Sequence, residues 1–191
     1  IKYYLQILIL GSLRSVQKMM SDMIKKWDED ILYLINKYCR NRFLDKVMPF
    51  VTSLGNLGML WIILAILMIR KVDYRRVGII VLVTLAFTTI MGEGIVKHIV
   101  KRKRPFIGKK NKELLIKEPS SFSFPSGHTA SSFAVAVVFL KSNSSISTII
   151  VLIALAIAFS RLYLKVHYPS DVIGGIILGL ICGGIVFNYL Y

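Results

Sequence analysis

The chain has 191 residues, 55% of them hydrophobic, with a formal net charge of +15 at pH 7. A mean hydropathy of +0.64 is too high for an ordinary soluble domain and points to a membrane protein of one domain. In that setting the positive charge marks a membrane surface or a phosphorylated substrate rather than nucleic acid.

Residues 1–22 form an N-terminal segment set apart from a membrane-embedded domain over 23–191. Within that segment YYLQILILGSL (3–13) is apolar but too short to cross a bilayer alone. It reads as the remnant of a further spanning helix, as a signal h-region, or as sequence upstream of a start at Met20 or Met23, and it carries no functional weight. Over 24–48, Trp27, Ile31, Leu34, Ile35 and Tyr38 recur at helical spacing with Asp28, Glu29, Lys37 and Arg40 between them. That pattern predicts an amphipathic helix in the membrane interface or a solvated cap on the bundle. Two cysteines, Cys39 and Cys182, lie far apart in unlike contexts, so they read as free apolar residues rather than a disulfide or a metal site.

Five apolar segments follow, near 50–69, 77–96, 127–140, 146–164 and 172–190. Crossing about 30 Å of hydrocarbon takes roughly 20 helical residues; the third segment is shorter and is expected to extend or tilt. Backbone polar groups cannot be left open in lipid. The expected class is therefore all-α, a multi-pass transmembrane bundle of about five spans plus the N-terminal amphipathic helix. Gly174, Gly175, Gly179, Gly183 and Gly184 in the last segment suit close helix packing. Two passes separate the loop near 97–126 from the loop near 161–171, so both lie on one face of the membrane and their histidines can meet.

Three stretches carry chemistry. In KHIVKRKRP (97–105), Lys97 and Arg104 are seven apart and share a face if the helix continues to Pro105. They suit a phosphate in the headgroup region, or form part of an interfacial basic belt. The run KRKR also has the look of a nuclear-localisation patch, which the membrane spans argue against. In PSGHT (125–129), Pro125 and Gly127 force a turn that places the amides of Ser126, Gly127 and His128 at a helix N-terminus, where an anion is favoured; the Ser126 hydroxyl can donate as well or cap the helix. In SRLYLKVHYPSD (160–171), Arg161 ends a helix, His167 lies in the loop and Asp171 opens the next helix. A carboxylate four residues on can fix one ring nitrogen and make the other a better nucleophile or base. Glu93, one turn before Lys97, is an intramembrane carboxylate that would pair with Lys97 and position it. His98 points elsewhere around the helix and reads as structural.

These stretches resemble the three signature motifs of the type-2 phosphatidic acid phosphatase superfamily. Its first motif is matched by Lys97, Arg104 and Pro105, its second by Pro125, Ser126, Gly127 and His128, and its third by Ser160, Arg161, His167 and Asp171, with no departure over a resemblance covering about 50–190. The resemblance implies a lipid phosphate or diphosphate phosphatase in which His167 attacks phosphorus and Asp171 orients its ring. It implies that His128 protonates the leaving oxygen and then activates water, while Lys97, Arg104, Arg161, Ser126 and Gly127 bind the phosphoryl oxygens. No metal and no cofactor are expected. A zinc site of His128, His167 and Asp171 would be repelled by the surrounding cations. The partners implied are a lipid phosphate substrate and the bilayer, without nucleic acid. Undecaprenyl diphosphate and phosphatidylglycerophosphate are the substrates typical of small bacterial members. A non-enzymatic lipid-binding or transport protein is the alternative class, but binding alone needs neither an acid nor a nucleophile. The expected location is the cell membrane. Nine Lys and Arg between 97 and 117 against four between 70 and 76 argue for a cytoplasmic site, whereas the resemblance implies an extracytoplasmic one, which is preferred because much of that charge serves the substrate.

Overall fold

The computed structural model describes residues 2–108 and 114–191, with side chains from residue 16 onward. The described residues are all helix and loop, without strands. Helix α1 covers Lys2–Cys39. Asn41 then starts α2 (Arg42–Leu54), its Oδ1 accepting the Leu44 N–H at 2.9 Å, which is ordinary N-capping. The amphipathic pattern expected over 24–48 is therefore divided between two helices. Asp28 and Leu32 are buried, whereas Trp27, Leu34 and Tyr38 are exposed. The apolar side of α1 faces outward, as suits a helix lying against lipid.

Helix α2 continues through a short turn at Asn56–Gly58 into α3 (Met59–Ile69), with a bend of 47°. Leu57 and Gly58 both take left-handed backbone angles there, φ 51° and 68°. Helix α4 (Arg75–Thr89) passes through a π-turn at Ile90–Val96 into the short α5 (Lys97–Val100). The last three helices are α6 (Gly127–Lys141), α7 (Ser147–Tyr163) and α8 (Pro169–Leu190). The runs Val72–Val100 and Pro169–Leu190 are each long and apolar enough to cross a membrane; the bent pair α2–α3 makes a third, and α7 is a shorter apolar helix.

Helix α6 is the axis of the bundle. Its residues from Thr129 to Ala136 are all buried, and it packs against α4, α7 and α8. At 15 residues it is about 22 Å long, so it is enclosed by longer neighbours rather than spanning alone. Its polar positions are satisfied inside: Ser132 Oγ accepts from the Trp61 indole at 3.1 Å. Close approach to α8 rests on glycine. A Cβ on Gly179 would lie 2.5 Å from the Ala130 carbonyl oxygen, and one on Gly183 2.5 Å from that of Ala134. Gly184 faces open space, so small residues in this helix are not interchangeable.

Gly179→Ala should therefore lower stability by about 1–3 kcal/mol, the usual cost of overpacking. Gly184→Ala should stay within about 0.5 kcal/mol of the parent. Thermal midpoints of the two purified variants in one detergent distinguish these outcomes.

Candidate active site

The loop after α5 and the loop between α7 and α8 meet above the N-terminus of α6. The first intrahelical bond of α6 runs from the Ala130 N–H to the Ser126 carbonyl, which leaves the amides of Gly127, His128 and Thr129 without a helical acceptor. Around that positive end, Lys97, Arg104, Arg161, His128, His167 and Gly127 line one cleft of about 680 Å³. Lys97, Arg104 and Arg161 are all buried.

Lys97 and Arg104 do not share a helical face. The helix stops at Val100, and Lys101 takes a left-handed conformation (φ 50°) that turns the chain. The loop then carries Arg104 back over the site, and both cations close on Ser121. Lys97 Nζ reaches its hydroxyl at 3.0 Å; Arg104 donates to its carbonyl at 2.7 Å and its hydroxyl at 3.2 Å. Arg161 donates to the Thr52 hydroxyl, and its buried Nε has no partner. A buried guanidinium left partly unsatisfied suits an incoming anion.

His167 Nε2 lies 3.1 Å from Arg104 Nη1. A guanidinium can only donate, so the Nε2 lone pair accepts from Arg104 and the ring proton belongs on Nδ1. That nitrogen faces Asp171 Oδ2 at 3.6 Å, longer than a hydrogen bond, and it has no closer partner. Burial pulls His167 down to about 3, with Arg161 and Arg104 adding to it and Asp171 pulling the other way. The imidazole is neutral across the physiological range.

Asp171 is buried and fully engaged. Its Oδ1 accepts from Arg102 at 2.7 Å, and its Oδ2 from the Tyr168 amide at 2.8 Å and from the Ser123 hydroxyl. Ser126 stands behind the cleft. Its hydroxyl meets Thr129 Oγ1 at 2.9 Å, and its amide donates to the Asp171 carbonyl at 3.0 Å. Glu93 pairs with Lys97 at 2.7 Å, as expected from the sequence. Its Oε1 also presses on Gly127, where an added Cβ would come within 2.3 Å of it. His98 contacts the Phe122 ring edge-on.

Several participants were not singled out from the sequence. Asn56 Oδ1 accepts from His128 Nε2 at 2.9 Å, delivered by the break between α2 and α3. The neighbouring Gly55 leaves room for that ring, since a Cβ there would lie 2.7 Å from His128 Cδ2. Thr52, Ser121, Ser123, Arg102 and Asp28 also enter only through the fold. The one signal in the sequence was the SLGNLG break (53–58) inside an apolar run.

Residues 76–191, more than half of the chain, match the model of the PAP2 superfamily, and the chain belongs to that family. It is 32% identical over 152 residues to an undecaprenyl-diphosphatase from Sulfolobus acidocaldarius, covering 78% of this chain and 72% of the relative. The fold is similar to that of LpxE from Aquifex aeolicus, with TM-score 0.71 and 29% identity over 84% of this chain and 94% of that one. It is also similar to a transmembrane PAP2-type phosphatidylglycerolphosphate phosphatase from Bacillus subtilis, with TM-score 0.70 and 28% identity over 87% and 86%. The chain is accordingly a metal-independent membrane phosphatase of lipid phosphates that works through a phosphohistidine.

If Asn56 holds the second histidine in place, Asn56→Ala should lower turnover of a lipid phosphate at least roughly 10-fold, since small misplacements of a reacting group are costly. Labelling of the enzyme by an aryl phosphate, which needs no acid, should persist. Steady-state phosphate release and rapid-quench labelling read the two effects.

Proposed function

We propose that His167 is the nucleophile and His128 the acid and base, with Lys97, Arg104, Arg161 and the Gly127 amide holding the phosphoryl oxygens. The observation that carries this reading is the Arg104–His167 contact of 3.1 Å, which aims a neutral Nε2 into the ring of cations. In the first step Arg104 turns its N–H from Nε2 to a phosphoryl oxygen, the freed Nε2 lone pair attacks phosphorus while the bond to the leaving oxygen breaks, and His128 gives that oxygen its proton. The positive charge that develops on the ring is met by Asp171 through Nδ1–H. In the second step His128 takes a proton from water, the hydroxide attacks phosphorus, and the N–P bond breaks to restore His167. Negative charge on the equatorial oxygens is stabilised by Lys97, Arg104 and Arg161. Ser126 serves from behind, tying the start of α6 to the Asp171 backbone.

The substrate we infer is a long-tailed lipid phosphate or diphosphate, with undecaprenyl diphosphate first and phosphatidylglycerophosphate second, following the relatives. The cleft supports this. Beside its cations it is lined by Leu57 and Leu85, from the α2–α3 break and α4, an apolar flank suited to the first part of a tail. We read the architecture as about five spans, α2–α3, α4–α5, α6, α7 and α8, with α1 in the interface.

Two variants test the roles. His167→Ala should abolish turnover of undecaprenyl diphosphate, phosphatidylglycerophosphate and nitrophenyl phosphate alike. His128→Ala should lose roughly 10²–10⁴-fold on the lipids, the usual worth of acid–base assistance, yet still form phosphoenzyme from nitrophenyl phosphate and accumulate it. Rapid quench with radiolabelled aryl phosphate reads that species as an acid-labile, base-stable label. Failure of label to attach in His128→Ala, with lipid turnover also gone, overturns the assignment.

We further infer that the site faces the extracytoplasmic side. Three of the nine basic residues between 97 and 117, namely Lys97, Arg102 and Arg104, are taken up by site contacts; the six left still outnumber the four between 70 and 76, so this reading rests on the family resemblance rather than on the charge count. In a chain with Cys39 and Cys182 replaced by Ala, Lys103→Cys should react with an impermeant thiol reagent in intact cells. Protection until lysis reverses the orientation.

A further inference from the structure

Asp28 is a carboxylate with no solvent exposure on a helix that lies outside the residues matched by the family model. A buried charge is costly unless it is paired and hydrogen-bonded, and every partner of Asp28 belongs to the site. Its Oδ2 accepts from Arg102 Nη2 at 2.5 Å and from the Ser170 hydroxyl at 2.6 Å, and its Oδ1 accepts from the Ser170 amide at 2.8 Å. The other arm of the Arg102 fork, Nη1, donates to Ser170 Oγ at 2.6 Å and to Asp171 Oδ1 at 2.7 Å. The guanidinium carbon lies 4.3 Å from the Tyr168 ring centre, and the Arg102 carbonyl accepts from the Ser123 amide at 2.8 Å. One side chain therefore grips three members of the turn that joins His167 to Asp171, and one carboxylate from α1 holds that side chain.

We propose that Asp28 and Arg102 are positioning residues that set the aim of the nucleophile through Asp171, which makes α1 a working part of the catalytic apparatus. The inference rests on His167 being the nucleophile. With Arg102 on Oδ1, the carboxylate cannot rotate, and Oδ2 stays turned toward His167 Nδ1. Asp28 takes half of the guanidinium charge. Without it the full cation would fall on Asp171, which would then give less support to the positive ring formed on phosphorylation. Without Arg102, two buried carboxylates would be left uncompensated beside the turn.

The test is kinetic, on the full chain in detergent. Arg102→Gln should lower kcat roughly 10–100-fold and Asp28→Asn about 10-fold, the range found when an outer partner of a site residue is removed. The loss should sit in formation of the phosphoenzyme, read by rapid quench. The inhibition constant of inorganic phosphate should not change, because Lys97, Arg104 and Arg161 are untouched. Arg102→Lys, which keeps the charge but not the fork, should recover only part of the rate. Because both residues act through one carboxylate, adding Asp28→Asn to Arg102→Gln should cost nothing more. Ser170→Ala, which removes only the hydroxyl shared by both, should give a smaller loss in the same step and covers the case in which the charge variants fail to fold. Unchanged phosphoenzyme formation in these variants, losses that multiply, or phosphate binding that weakens in parallel overturns the proposal. Label forming in His167→Ala would instead overturn the reading on which it rests.

Discussion

The site depends on a guanidinium donating into an imidazole. Arg104 at 3.1 Å from His167 Nε2 decides which ring nitrogen keeps its lone pair, and burial keeps the ring neutral. Everything else follows as support for that arrangement. The proton must sit on Nδ1, so a carboxylate must stand beside Nδ1, and Asp171 does so at 3.6 Å. Arg104 must itself be held, and Ser121 and the Val166 carbonyl hold it. Three buried cations then need a scaffold stiff enough to keep them together against their own repulsion.

The bundle supplies that stiffness through α6. Its N-terminus is the floor of the cleft, and its position is set by glycine contacts with α8 that allow backbone to meet backbone. The same helix pair is joined at the site end by the Ser126 amide on the Asp171 carbonyl. Packing in the apolar layer and geometry in the polar layer are thus one constraint. The break between α2 and α3 does the complementary task, interrupting a spanning run so that Thr52 can meet Arg161 and Asn56 can meet His128.

How much of this was legible in the sequence depends on range. Apolar segments of membrane length and the three charged stretches are local, and the helices fall close to the expected positions. The pairing of Glu93 with Lys97 was legible because four residues along a helix bring side chains together. The route by which Arg104 reaches Lys97 was not, because Lys101 in a left-handed conformation ends the helix and no sequence period marks it. Asp28 was read as one of the polar residues between the apolar ones of α1. It is buried instead because its partners, Arg102 and Ser170, lie more than seventy residues away. Asp28 thus faces inward beside the buried Leu32, and only the tertiary contacts reveal that a charge belongs on that side.

The resting electrostatics follow from the same geometry. An α-helix N-terminus with open amides attracts an anion, and the Glu93 carboxylate stands near it, beside Gly127 and 2.7 Å from Lys97. On the proposed reading, a phosphoryl group aimed at His167 needs the same lysine. On that reading binding draws Lys97 away from Glu93, so the carboxylate opposes weakly charged ligands. On the same reading a phosphate ester, with more charge and more acceptor oxygens than a carboxylate, engages Arg104 and Arg161 as well as the lysine. The unpartnered Nε of Arg161 is the clearest mark of an acceptor that the protein itself does not provide.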